Sequence, residues 1–527
     1  MRWWRSFRVE MTMSNKGDID AAQYWQSATA SFESGVIAEP LLLFGGHRSH
    51  IDPKTGLSLY GPYTVSDQEH PPLTSITIGF VGPSALLSAA TNWVARCQTA
   101  VFNDGSQPFL YPHFPGFSNT FPFQCGLTIG DSWREVINDV KLATALRNPD
   151  RAKRIAEVAE VYAAGIHNLS ERQPKPNVII CVFAAATAEQ CRQGLLRVGG
   201  RKSNQKRNSS ASLQQLLFGP EPSKQADDGE TPAGDTHHDL RRALKAEAMA
   251  FGLPTQILLE ETFRPQSNKR QDAATTAWNF FTALYHKADG HPWRLADAQP
   301  GTCYVGVSFF REFTQNHLRT SLAQAFTHTG DGFVLRGKPF EWDRSHGPSP
   351  HLSKANARDL LAEVIEVYKR HRNVRPERVV IHKSSRFSPD EVQGFREALQ
   401  NIPFWDLVAF GKRGTQFLRL GQYPPLRGSW VRFDDTNYLL YTQGYVPFLR
   451  TYPGMRSPQP QEILELFGTS PADTVMREIL ALTKLNWNSA DFSCDEPITL
   501  AFSRRVGEIL AELKPSVNPQ KEYKFYM

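Results

Sequence analysis

A short apolar run, NVIICVFAA at residues 177–185, constrains the fold of this chain more than any other feature of its sequence. An uninterrupted run of β-branched and apolar residues of this length is typical of a strand buried on both faces of a parallel sheet. A similar run, CYVGVSFF, lies at 303–310, and amphipathic helical patterns such as LSKANARDLLAEVIEVYKRHR at 352–372 stand between the predicted strands. Strands that alternate with helices predict an α/β fold, with two α/β domains in series.

Length, charge and cysteine usage exclude several classes of protein. The 527 residues suffice for about three domains. No apolar run approaches the roughly 18–20 residues of a membrane helix, and the N-terminus lacks the apolar core of a signal peptide. The six cysteines form no CxxC pair, which argues against a zinc site or disulfide framework and predicts a cytoplasmic protein. A net charge of +6 permits a polyanionic partner without establishing one.

One stretch, residues 199–236, has few apolar side chains and runs from basic to acidic. Because such a composition cannot bury a core, we expect a mobile surface insertion there.

The strongest local signal lies in RRALKAEAMAFGLPTQ, residues 241–256. Arg241 and Lys245 are four residues apart on a predicted helix, so they share one face. A Gly and Pro turn then leads to Gln256 at the start of the next strand, and Lys287 ends a later helix beside a glycine turn, in YHKADGHPW. Cations and an amide at helix and strand ends suit a terminal phosphate. The spacing alone also fits a solvated helix face with an incidental pair of cations.

The order of these residues resembles the pocket that binds the guide 5′-phosphate in the MID domain of Argonaute proteins. That pocket uses Tyr, Arg or His, a Lys four residues on, a Gln and a second Lys. The resemblance implies these roles for Arg241, Lys245, Gln256 and Lys287, with His238 and Arg242 as a competing alignment of the first pair.

The rest of the C-terminal half resembles a PIWI domain, which has an RNase H-like fold. TCYVGVSFF resembles its first core strand, ERVVIHKSSRF its second catalytic strand and loop, and LTKLNWNSADFSCDEP its closing motif. The resemblance covers about residues 176–527. It implies a leading α/β segment at 1–175, a Rossmann-like MID domain at 176–300, and a PIWI domain at 301–527.

The positions of the PIWI catalytic carboxylates predict an inactive nuclease. Family members that cut their target hold two divalent ions with aspartates, because hard cations prefer anionic oxygen ligands. This sequence has Ser308 at the first of these positions and Ser384 or Ser385 at the second. A serine cannot replace a carboxylate that holds a metal. The alternative is a nuclease with rebuilt ligands, which would draw on Glu341 and Asp343.

Nearby cations could serve another purpose. Lys383, Arg386 and the loop Gly411-Lys412-Arg413-Gly414 would suit contacts with a phosphate backbone, although each cation also fits a solvated surface charge.

The absence of a PAZ-like segment ahead of residue 176 makes the chain resemble a short prokaryotic Argonaute. The resemblance implies a cytoplasmic recognition subunit that binds a 5′-phosphorylated guide RNA and single-stranded target DNA. The implied partner is a separate effector with an APAZ domain, sirtuin-like or TIR-like, or else a nuclease. Target binding would activate it and deplete NAD in defence against viruses or plasmids. A plain structural scaffold for that partner is a further alternative.

The end of the chain, KEYKFYM, predicts a metal site by the same resemblance. The carboxylate of Met527 and the amide oxygen of Gln256 would hold Mg²⁺ against the first guide phosphates, with Phe525 and Tyr526 buried between the domains. Alternatively, Lys245 and Lys287 neutralise the phosphates alone and the chain end only packs.

Overall fold

The computed structural model describes residues 32–67, 71–103, 105, 107–192, 239–264, 272–311, 318–326, 332–340, 349–411, 424–454, 457–514 and 517–527. Several sequence-based predictions lie outside these residues: the whole insertion at 199–236, His238, Glu341, Asp343, Lys412 and Arg413.

The described residues form seventeen strands and twelve α-helices. The strands are β1 (Glu33–Val36), β2 (Leu42–Leu43), β3 (Ser49–His50), β4 (Ser75–Gly82), β5 (Gly126–Thr128), β6 (Arg134–Val136), β7 (Val178–Phe183), β8 (Thr255–Leu259), β9 (Arg294–Leu295), β10 (Thr302–Arg311), β11 (Leu318–Phe326), β12 (Gly332–Phe340), β13 (Arg378–Lys383), β14 (Phe404–Gly411), β15 (Ser429–Arg432), β16 (Tyr438–Leu440) and β17 (Gln461–Gly468). The helices are α1 (Pro53–Tyr60), α2 (Ser84–Arg96), α3 (Asp139–Leu146), α4 (Arg151–Ser170), α5 (Ala185–Arg192), α6 (Leu240–Ala248), α7 (Glu260–Phe263), α8 (Ala273–Lys287), α9 (Lys354–Arg372), α10 (Pro389–Ala398), α11 (Ala472–Leu482) and α12 (Ile498–Glu512).

A parallel sheet in the order β5-β4-β7-β8, with β6 also paired to β4, forms the first α/β layer. Every residue of β7 is buried, which confirms the prediction of a central parallel strand. Its side chains alternate between two cores, with Ile179 and Cys181 facing α4 and α6, and Val178 and Ile180 facing the core that contains α8. Because β4 pairs with β7, the predicted boundary at 175/176 falls between neighbouring strands of one sheet.

The second layer is a nine-stranded mixed sheet, in the order β1-β15-β16-β17-β14-β13-β10-β11-β12. Strands β10, β13 and β14 run parallel, whereas β10, β11 and β12 form an antiparallel meander. Helices α9 and α10 cover one face, and α11 and α12 cover the other. A side chain at Gly306 would collide with the carbonyl of Thr499, so the glycine lets α12 lie directly on β10.

The last residues of the chain join the two layers. Tyr523, Phe525, Tyr526 and Met527 are all buried in the core that both sheets share, as predicted for the two aromatics. None of the helices in the described ranges is long and apolar enough to cross a membrane.

Candidate phosphate-binding pocket

Helix α6 presents Arg241 and Lys245 one turn apart. Its N-cap is Asp239, whose side chain accepts hydrogen bonds from the backbone N–H of Arg241 and Arg242, as the sequence predicts. The helix ends at Ala248, and a single 3₁₀ turn leads to Gly252, whose positive φ of 65° reverses the chain. The chain then enters β8, in which Gln256 is the second residue.

Lys245, Gln256 and Lys287 meet in one buried network. The ammonium of Lys245 donates to the backbone carbonyl of Thr255 at 3.2 Å. The Gln256 amide nitrogen donates to the Phe280 carbonyl at 3.1 Å, which turns its oxygen toward the ammonium of Lys287, 3.2 Å away. The three side chains are 1–3% exposed, so the structure brings these predicted residues together in the interior.

The network contains two buried lysines and, among the described residues, no carboxylate that pairs with them. Burial lowers the pKa of Lys287 to about 7, and the nearby charge of Arg241 acts in the same direction. Burial, followed by the charges of Lys287 and Arg241, lowers the pKa of Lys245 well below its usual value. Cys181 beside them stays a neutral thiol, because burial raises its pKa to about 12. Within the described residues no Asp or Glu pairs with either lysine, so an anion with several oxygens is the complementary ligand.

The two arginines of the competing alignments have different surroundings, whereas His238 lies outside the described residues. Arg242 forms an ion pair with Glu508 at 2.5 Å. Arg241 instead acts electrostatically on both buried lysines. Of the two arginines, Arg241 is the one whose charge lowers the pKa of both buried lysines.

A magnesium ion between Gln256 and Met527 fits these contacts poorly. The amide oxygen of Gln256 already accepts from the Lys287 ammonium, and a dication there would face two positive lysines. No group of three or more His, Cys, Asp or Glu side chains in the described part of the chain could hold a metal. Met527 is buried, which fits a packed chain end with or without an ion.

The serines at the predicted catalytic positions lie side by side. Val307 of β10 pairs with Lys383 of β13 in parallel register, so each serine directly follows that pair, Ser308 inside β10 and Ser384 just after the end of β13. Ser385 comes next, in the loop before α10. These positions are where carboxylates from two strands could share metal ions, and here they carry hydroxyl groups.

Lys383 does not provide the predicted phosphate-backbone contact. Its side chain is completely buried, and its ammonium contacts both carboxylate oxygens of Glu391 at 2.7 and 2.8 Å. The prediction was wrong because Glu391, which forms a capping box with Ser388 at the start of α10, turns inward and neutralises the lysine. Arg386 is half exposed but pairs with Glu465 at 3.0 Å.

Comparison with known proteins identifies the class of fold. No protein-family model and no curated protein sequence matches the chain. Among solved structures, it is similar to Clostridium butyricum Argonaute bound to a guide DNA and a 19-mer target DNA, with 15% identity and a TM-score of 0.58 over 93% of this chain and 54% of that one. It is also similar to A. aeolicus Argonaute (12% identity, TM-score 0.55, 93% and 55% covered) and to Drosophila Piwi (12%, 0.55, 94% and 56%).

The chain therefore has an α/β fold of the Argonaute type, as the sequence predicts. It spans about half the length of the solved structures it matches. At this level of identity the likeness establishes the fold, and what the pocket binds has to be argued from its own residues.

Proposed function

We propose that this chain is a guide-dependent nucleic-acid recognition protein that binds a 5′-phosphorylated small guide RNA and pairs it with complementary single-stranded DNA. One observation carries the proposal: two buried lysines and an oriented glutamine converge with no carboxylate among the described residues to balance them. Burying uncompensated cations is costly, so a polyanionic ligand supplies the missing interaction. Base pairing would read the sequence, while the protein contacts phosphates and duplex shape.

The Argonaute-type fold supports this proposal. One of the similar structures contains both a guide DNA and a target DNA. Guide RNA, rather than guide DNA, is proposed from the resemblance of the sequence to short prokaryotic Argonautes.

We propose further that the chain does not cut its target. Ser308 and Ser384 follow paired residues of two neighbouring parallel strands, and their neutral hydroxyls cannot hold two divalent ions around a phosphate. The catalytic activity would then belong to a partner protein, an effector that has an APAZ domain and is sirtuin-like or TIR-like. Target binding would activate it and deplete NAD. A structural Mg²⁺ at the guide 5′ end is the least supported part of this proposal, because the lysines already supply positive charge there.

The test measures affinity for guides that differ only at the 5′ end. The parent should bind a 5′-phosphorylated oligonucleotide more tightly than its 5′-hydroxyl form. Lys245→Ala with Lys287→Ala should abolish the difference, since two hydrogen bonds to charged groups correspond to roughly 10²–10⁴-fold in affinity. The slope of the logarithm of the binding constant against the logarithm of the salt concentration should become shallower by about 1.4. The double variant makes two fewer phosphate contacts, so its binding releases fewer counterions.

A matched control replaces two exposed lysines, Lys141→Ala with Lys153→Ala, on α3 and α4. It should leave the preference for the phosphate unchanged. Equal affinity of the parent for both guides would show that the pocket has another ligand.

A further inference from the structure

The hydroxyl of Tyr523 is an unusual feature at the end of the chain. Tyr523 is 3% exposed, and its hydroxyl has no hydrogen-bond partner among the described residues. Buried polar groups in folded proteins nearly always have a partner, so an orphan of this kind needs an explanation. The ring itself is well packed, with its centroid 3.9 Å from that of Phe502 and 5.9 Å from that of His286.

The chain end is fastened to the two helices that carry the phosphate pocket. The side-chain amide of Gln520 donates to the carbonyl of Met249, one residue after α6. Lys524 forms an ion pair with Asp289 at 2.6 Å, two residues after Lys287. Tyr523 therefore lies on a segment that is held on both sides against the ends of α6 and α8.

The electrostatic surroundings of Tyr523 are positive. Burial raises its pKa well above the usual value, so the phenol stays neutral, and Arg505 and Arg241 act in the opposite direction. Arg505 lies on α12, with its guanidinium carbon 5.7 Å from the centre of the Phe502 ring. No carboxylate of the described residues pairs with Arg505. A neutral donor close to two guanidinium groups suits an anionic acceptor.

We propose that Tyr523 and Arg505 complete the pocket from the side of the second sheet, and that the Tyr523 hydroxyl donates to an oxygen of the guide's terminal phosphate. This inference rests on the proposed function. A terminal phosphate has three free oxygens, which can accept from the two buried lysines and still receive further donors. The packed chain end would then be part of the binding site, and its contribution would come from a side chain rather than from a metal ion.

The experiment uses Tyr523→Phe, which removes only the hydroxyl. The ratio of affinities for 5′-phosphate and 5′-hydroxyl guides should fall roughly tenfold, the effect of one hydrogen bond to a charged group. The Tm of the empty protein should stay equal or rise, because an unpaired buried hydroxyl is lost. Arg505→Gln should lower the same ratio.

Tyr526→Phe is the matched control, because its hydroxyl donates to the carbonyl of Gln520 at 2.7 Å. It should lower the Tm and leave the ratio unchanged. If the parent prefers the phosphate and Tyr523→Phe retains the full preference, the inference fails while the proposed function stands. A fall in Tm for Tyr523→Phe like that of the control would also overturn it. If the parent shows no preference, the proposed function itself fails.

Discussion

Replacing Lys287 by methionine should make the empty protein more stable while it destroys the site. Lys287 is 1% exposed, and the neutral amide oxygen of Gln256 is the acceptor for its ammonium. Methionine is unbranched, flexible and of similar length, so it can follow the path of the lysine stem. The substitution removes a buried charge without opening a large cavity.

The magnitude follows from two opposing effects. Burial lowers the pKa of Lys287 to about 7 from 10.5. At 1.36 kcal/mol for each pKa unit, holding the charged form in the folded protein at neutral pH costs on the order of 4 kcal/mol. Methionine relieves that cost but leaves the Gln256 oxygen without a donor, which costs ~1–3 kcal/mol. The net expectation is a stabilisation on the order of 1–3 kcal/mol.

The pH dependence has a definite sign. In the folded protein Lys287 releases its proton near pH 7, whereas the unfolded chain holds it to about pH 10.5. Between these values the unfolded state binds more protons, so the stability of the parent rises with pH. The advantage of Lys287→Met is therefore greatest at pH 7 and below, and it shrinks toward pH 10.

Thermal unfolding of the empty protein at several pH values measures this directly. The Tm of Lys287→Met should exceed that of the parent by a few degrees at pH 7. Lys141→Met, at an exposed lysine, should show no such difference. A Lys287→Met protein that melts below the parent at pH 7, or a difference that does not vary with pH, would refute an uncompensated buried lysine.

Three further outcomes are expected. The chain alone, incubated with guide, target and Mg²⁺ or Mn²⁺, should leave the target intact. Cleavage of the target at a fixed distance from the guide 5′ end, lost when Glu341 or Asp343 is replaced, would instead indicate a nuclease. If the lysines alone neutralise the 5′-phosphate, the preference for a phosphorylated guide should survive removal of divalent ions with a chelator. Loss of that preference both on chelation and on adding a tag after Met527 would support a bound Mg²⁺ ion. Lys383→Met should lower the free energy of unfolding by about 3–5 kcal/mol, because Glu391 is left buried and unpaired. The control, Lys338→Met, breaks an exposed ion pair and should lower it by about 1 kcal/mol or less. A denaturant titration measures both values.

Local patterns in the sequence predicted only part of the candidate pocket. Arg241 and Lys245 follow from helical spacing, and Asp239 and Gly252 mark where the helix begins and ends. The roles of Gln256 and Lys287 came from the resemblance, because 31 residues separate them and no spacing rule links them. The structure then brings them into contact.

Burial and long-range partners could not be predicted in the same way. Lys383 was predicted to contact a phosphate backbone because it lies next to the predicted catalytic position at Ser384, yet its side chain is buried in the core beside Glu391. The sequence singled out Phe525 and Tyr526 at the chain end, but it gave no sign that the hydroxyl of Tyr523 would be left without a partner.

The sequence by itself determined the α/β class, the central strand β7 and the serines at the predicted catalytic positions, because each depends on residues close together in the chain. Only the tertiary structure decided that β4 joins the sheet of β7, that two lysines are buried without a carboxylate among the described residues, and that the chain end closes over α6 and α8. These features depend on contacts between residues far apart in sequence. Which side chains are desolvated and which partners they find is decided by tertiary packing, so no local pattern in the sequence predicts it.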